Sequence, residues 1–128
     1  MATHGFAEVT GEEGVTWSQP VIYRITIRGT GLYVGKALNG RQARRDTWRD
    51  VADLLEGRPF RKGRPGSYRR IHLEMAAAVR AGVPIDLHAL ENGTAEALAS
   101  RERYWIGVCR AQAAANGLVS LNGGEHDA

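Results

Sequence analysis

The sequence holds a single cysteine, Cys109, and one thiol excludes an intrachain disulfide and any cysteine-rich zinc site. Long apolar runs are missing too. The longest, such as Met75-Ala76-Ala77-Ala78-Val79, fall far short of the roughly 20 apolar residues that a membrane helix needs. The opening Met1-Ala2-Thr3-His4-Gly5 has neither the basic nor the apolar region of a secretory signal, so a cytoplasmic protein with no membrane partner is expected. There is no phosphate-cradling glycine loop of the Walker type and no Ser-His-Asp signature. His4, His72, His88 and His126 lack ligand spacing and read as surface or local packing residues. Asp86 and His88 share a strand face, but two residues do not make a metal site. Repeats, linkers and low-complexity tracts are absent as well.

What is present fits one domain of 128 residues, with a hydrophobic share of 43 % that is ordinary for a chain able to form one core. The net charge is +3, and it is unevenly placed. From Arg41 to Arg80 there are eleven Lys/Arg against five acids, a local balance of +6. A basic middle with a near-neutral remainder is the electrostatic footprint of a polyanion partner, although a solvated helical face gives the same pattern.

Residues 1–18 lack periodicity, contain Gly5, Gly11 and Gly14 together with several acids, and read as an N-terminal arm docked by Trp17. Pro20 opens a strand over Val21–Ile27, in which Val21, Tyr23, Ile25 and Ile27 share one face. Arg28-Gly29-Thr30-Gly31 is a turn, and a second strand over Leu32–Ala37 completes a hairpin. A helix is predicted from about Gln42 to Glu56, with Trp48, Val51, Ala52 and Leu55 as its apolar stripe and Gly57 as its stop. Arg41, Arg45 and Arg49, spaced by four, form a basic row on it.

The Gly/Pro-rich segment 57–66 is a basic loop containing Arg61 and Lys62. Ser67 is placed to cap a second helix, Tyr68–Ala81, which Gly82 and Pro84 stop. Val83, Ile85, Leu87 and Ala89 alternate as a third strand. Asn92-Gly93-Thr94 starts a third helix running to about Ala115, and Leu118–Leu121 returns to the core. The elements follow in the order β-β-α-α-β-α over residues 19–124, with 125–128 as a frayed tail.

Glu102 is the strongest chemical clue. With Leu98, Trp105 and Cys109 it falls on one helical face whose other members are apolar. A carboxylate there is costly unless it is paired or holds a metal. A salt bridge to an arginine of another element, or a place at the edge of the stripe with the head in water, explains it equally. Tyr23 and Tyr33 would pair across the hairpin for packing alone. The run Tyr33-Val34-Gly35-Lys36 raises them, because Gly35 removes a side chain where a substrate backbone would approach and Lys36 adds a charge beside it. Asn122 before Gly123-Gly124 reads as a turn residue. Cys109 reads as a small buried hydrophobe.

Taken together, Val21-Ile22-Tyr23, Tyr33-Val34-Gly35, the arginines that follow, Arg101-Glu102-Arg103-Tyr104-Trp105-Ile106 and Leu121-Asn122-Gly123-Gly124 resemble the GIY-YIG nuclease family, from about Val21 to Gly124. The stretch from Tyr33 to Asn39 is similar to the start of the nuclease domain in nucleotide-excision-repair endonucleases.

The resemblance implies a compact α/β sandwich, with a small three-stranded antiparallel sheet flanked by helices, that cleaves nucleic acid, DNA being the expected substrate, with a single Mg²⁺ (or Mn²⁺). Glu102 would ligate the metal, and Tyr23 would position or deprotonate the attacking water. Tyr33 would support that water near the scissile phosphate, and Asn122 would brace the site. An arginine of the first helix would neutralise the phosphate; Arg44 is favoured, with Arg41 and Arg45 open. A tyrosine of ordinary pKa near 10 is a poor base at neutral pH, so Lys36 or the arginines are expected to lower it.

The sequence departs from the family pattern at Val21, which stands in place of the usual glycine. It also lacks a histidine between Gly35 and Gly57. Gly35, Lys36, Arg41, Arg45, Arg49, Arg61 and Lys62 are the candidates for substrate contact. A non-catalytic nucleic-acid-binding module and a ribonuclease or toxin-like effector on the same scaffold stay open. With no room for a separate sequence-reading domain, the chain is expected to cut with little sequence specificity, to read structure, or to rely on a partner protein or dimerisation.

Overall fold

The computed structural model describes residues 5–58 and 69–122. Its centre is the expected hairpin. Strand β2 (Val21–Ile27) runs antiparallel to β3 (Gly31–Ala37), in register from Val21 opposite Ala37 to Ile27 opposite Gly31. β4 (Ile85–Asn92) lies antiparallel on the other side of β2, with an irregularity between Ile22 and Tyr23.

Two short strands extend this antiparallel core. β1 (Glu8–Gly11) pairs parallel to β4, and β5 (Val119–Ser120) pairs parallel to β3. The sheet therefore has five strands in the order β1-β4-β2-β3-β5, where the sequence suggested three. The extra strands carry little local signal. All four residues of β1 are exposed, and β5 is two residues long. Both are held by backbone pairing to strands distant in sequence. Residues 8–11, expected within a loose arm, thus belong to the sheet.

Among the described residues three α-helices cover the sheet: α1 (Gly40–Leu55), α2 (Arg70–Ala81) and α3 (Leu98–Ala115). Alternate strand residues face opposite ways, so each sheet face builds its own core. Ile25, Ile27, Ile85 and Leu87 pack with Val51, Ile71, Met75 and Ala76 beneath α1 and α2. Ile22, Leu32, Val34 and Leu90 pack with Leu98, Cys109 and Ala113 of α3. Cys109 is the buried hydrophobe that its stripe implied.

The caps place the helix ends a little differently from the periodicity. Asn39 caps α1, its side chain accepting from the N–H groups of Arg41 and Gln42 at 3.0 and 3.2 Å, so the helix begins at Gly40. Thr94 caps a short 3₁₀ turn (Ala95–Ala97) that leads into α3. The suggested Ser67 cap and the basic loop with Arg61 and Lys62 lie outside the described residues. No helix among the described residues is long and apolar enough to cross a membrane.

Candidate active site

The hairpin register sets the geometry. Tyr23 stands opposite Gly35, and Ile25 opposite Tyr33, so the two tyrosines are diagonal neighbours on the face covered by α1 and α2. The Tyr23 ring lies over Gly35: a Cβ built there would sit 2.5 Å from both Cζ and Oη of the tyrosine. The space that the sequence reading kept for a substrate backbone is thus taken by Tyr23 itself.

Behind Tyr23 sits Trp17, with ring centroids 6.4 Å apart. Trp17 is seated on the first turn of α1. Its carbonyl accepts from the Gly40 N–H at 2.8 Å, and a Cβ at Gly40 would meet its ring at 2.7 Å. The Arg44 guanidinium stacks over the same indole, 5.5 Å from the centroid.

This packing separates the arginines. Arg44 shares a narrow cavity with Tyr23, Phe6, Trp17 and Thr47. Arg41 and Arg45 open, together with Arg44, onto an adjoining cleft. Arg49 is turned to the acids of its own helix, 3.4 Å from Asp46 and 3.8 Å from Asp50, which removes it from the free basic row.

Glu102 comes from the other side of the sheet, on α3, its side chain 20 % exposed. Its partner is Lys36 of β3 at 3.1 Å, where the structural alternative had pictured an arginine. The neighbouring Arg101 instead grips Glu91 through two contacts of 2.7 Å, and the Trp105 indole N–H donates to the same carboxylate at 2.9 Å. These donors hold the Glu91 carboxyl below its usual range, Arg101 most of all. A carboxyl depressed by folding contributes stability above its unfolded pKa of about 4.3 and loses it as pH falls through the lower folded value. Glu91→Gln is therefore expected to melt earlier than wild type at neutral pH and to converge with it in acid, a trend checked by thermal melts across pH.

Asn122 is not a solvent turn. It is 7 % exposed, its Oδ1 accepts from the Val34 N–H at 3.0 Å, and its Nδ2 donates to the Val34 carbonyl at 2.8 Å. The side chain mimics one more rung of sheet where β5 ends, and so fixes β3 just before Gly35 and Lys36.

The proton on Tyr23 corrects one expectation. Burial pushes its phenol above the ordinary value, Tyr33 and Glu102 push the same way, and Arg69 opposes them. The Lys36 ammonium lies against Glu102, 3.1 Å away. Tyr23 is therefore a protonated hydrogen-bond donor at neutral pH.

The sign for stability follows. Above pH 10 or so the unfolded tyrosine ionises while the folded one holds its proton, so stability falls as pH rises past that point. Tyr23→Phe should flatten this alkaline limb in melts run between neutral pH and about pH 11.

Arg69, which no spacing singled out, sits just ahead of α2, and its backbone N–H donates to His72 Nδ1 at 3.2 Å. His72 Nε2 lies 3.7 Å from Asp50, and both side chains are buried. This pair ties the start of α2 to α1 and so fixes where Arg69 leaves the helix. In the sequence, Arg69 was only one of eleven cations in the basic middle.

Among the described residues no three acids, histidines or cysteines gather into a metal cluster. Mg²⁺, however, is commonly held by one or two carboxylates, with waters and substrate phosphate completing the shell. Glu102, partly exposed and bound among the described residues through a lysine that can swing away, fits that donor set; Glu91 and Asp50 are engaged elsewhere. No protein-family model, no curated protein and no solved structure matches this chain significantly.

Proposed function

We propose that this chain is a metal-dependent endonuclease of the GIY-YIG type, hydrolysing phosphodiester bonds of DNA. The observation that carries this reading is the seat of Tyr23 over Gly35. Tyr33 lies diagonal to that phenol, Arg44 shares its cavity, and Glu102 acts on its titration from the opposite side of the sheet.

In-line attack on a phosphodiester needs an oriented water, neutralised non-bridging oxygens and help for the leaving oxygen. Arg44 is the guanidinium suited to the phosphate. Tyr23, protonated, donates a hydrogen bond that orients the water or the phosphate, and Tyr33 supports it from the next rung. Asn122 keeps β3 in register, so that Gly35 and Lys36 stay in place. Glu102 is the residue that would hold Mg²⁺, which supplies Lewis-acid stabilisation of the leaving oxygen. Three-stranded antiparallel pairing at the centre of the sheet is consistent with the family resemblance of the sequence.

The Lys36–Glu102 ion pair favours a second reading, in which the glutamate is structural and the domain only binds nucleic acid. The deciding assay incubates the purified chain with labelled single-stranded, duplex and branched DNA, and with RNA, in Mg²⁺ or EDTA. Cleavage that requires Mg²⁺ is expected. Binding without cleavage in both Mg²⁺ and Mn²⁺ would favour the binding module.

A further inference from the structure

We infer that the cleft between the N-terminal segment and α1 takes one unpaired nucleotide of the substrate strand. This rests on the nuclease reading and names the substrate class: DNA with a nucleotide free of its duplex, as at a flap, a branch or a frayed end. The cleft measures about 410 Å³ and is lined by Gly5, Phe6, Arg41, Arg44, Arg45 and Trp48. That volume lies within the range of roughly 300–1,000 Å³ typical of small-ligand sites.

Its chemistry is divided as a nucleotide is divided. Arg41, Arg44 and Arg45 offer three guanidinium groups for a phosphate, and none of them forms an ion pair among the described residues, since the nearby Asp46 and Asp50 are engaged with Arg49. The Phe6 and Trp48 rings, 5.2 Å apart and crossed at 72°, supply an aromatic wall for a base. The Trp48 indole N–H is buried without an acceptor among the described residues.

The cleft adjoins the proposed catalytic cavity, and Phe6 and Arg44 line both. A nucleotide seated there is therefore next to the phosphate that Arg44 and Tyr23 would address. A base inside a duplex stack cannot enter such a site without leaving the stack, so the cleft selects strands with a nucleotide already free.

The test measures affinity by fluorescence anisotropy, without divalent metal, for three short duplexes: one fully paired, one with a single unpaired nucleotide, and one in which that nucleotide is abasic. Wild type is expected to bind the second about tenfold more tightly than the others, the size of one stacked base. Trp48→Phe and Phe6→Ala should each shrink that preference, and Arg45→Gln should lower the salt slope by about one. Equal affinity for all three duplexes, or an abasic site bound as well as the intact nucleotide, overturns the inference. Cleavage of the paired duplex in Mg²⁺ would then leave the nuclease reading standing. A tenfold preference with no cleavage in Mg²⁺ or Mn²⁺ leaves the cleft and removes the nuclease.

Discussion

Glu102→Ala is expected to abolish Mg²⁺-dependent cleavage, with a loss of about 10³-fold or more, while barely moving the melting temperature. The first half follows from the role assigned to the carboxylate. A residue that holds the metal removes several kcal/mol of transition-state stabilisation when it is lost, and each 1.4 kcal/mol or so is a factor of ten. The second half follows from exposure. The Lys36 side chain is 44 % exposed and Glu102 20 %. An ion pair this wet contributes about 0–1 kcal/mol, so its loss leaves the fold intact.

The companion variant Lys36→Met separates the two readings of the glutamate. If Glu102 serves only the ion pair, both variants lose the same small increment of stability and neither changes cleavage. If Glu102 holds metal, only Glu102→Ala loses the Mg²⁺ response altogether. Initial rates on labelled DNA with and without EDTA, beside thermal melts of the same preparations, read both quantities.

The parts of this molecule that were legible in its sequence are those fixed by local pattern. Strand β2 begins and ends where the alternation from Val21 to Ile27 does, because both of its faces meet apolar layers and Pro20 marks the entry. The α1 stripe was readable for the same reason, and Trp17 does dock the N-terminal segment. Strands β1 and β5 were not readable. Glu8 pairs with Asp86 and Gly31 with Val119 through backbone groups, which leave no hydrophobic period behind.

The site divides in the same way. Tyr23, Tyr33, Glu102 and Asn122 stood out by residue type and order, but their states depended on depth and partners. Counting nearby cations suggested a lowered phenol at Tyr23. Burial reverses that, Lys36 is paired with Glu102, and an opposing charge comes from Arg69, a residue 46 positions away in the chain. A helical wheel does not distinguish Arg41, Arg44 and Arg45; what sets Arg44 apart is its stacking on Trp17, which itself packs on Gly40.

Gly35→Ala should cost about 1–3 kcal/mol of stability and lower cleavage about 100-fold, from the addition of a single methyl group. The new Cβ would lie 2.5 Å from the Cζ and Oη of Tyr23 and 2.8 Å from Cε1, closer than any non-bonded carbon can sit. Tyr23 cannot simply lean away. Its backbone is in the middle of the sheet, paired to β3 on one side and β4 on the other, and Trp17 stands behind its ring. The ring has to leave its rotamer, which carries the hydroxyl out of the cavity it shares with Arg44.

The mechanism predicts strong non-additivity. In a Tyr23→Ala background the clash is gone, and Gly35→Ala becomes neutral or slightly stabilising, because alanine loses less backbone entropy than glycine in a strand. A double-mutant cycle on melting free energies should then show a coupling of about 1–3 kcal/mol. Had Gly35 been required for the approach of a substrate backbone, Gly35→Ala would raise KM with stability unchanged, and Tyr23→Ala would bring no relief. One account gives a coupling of about 1–3 kcal/mol and the other none, so the cycle decides whether this glycine exists for the substrate or for the tyrosine.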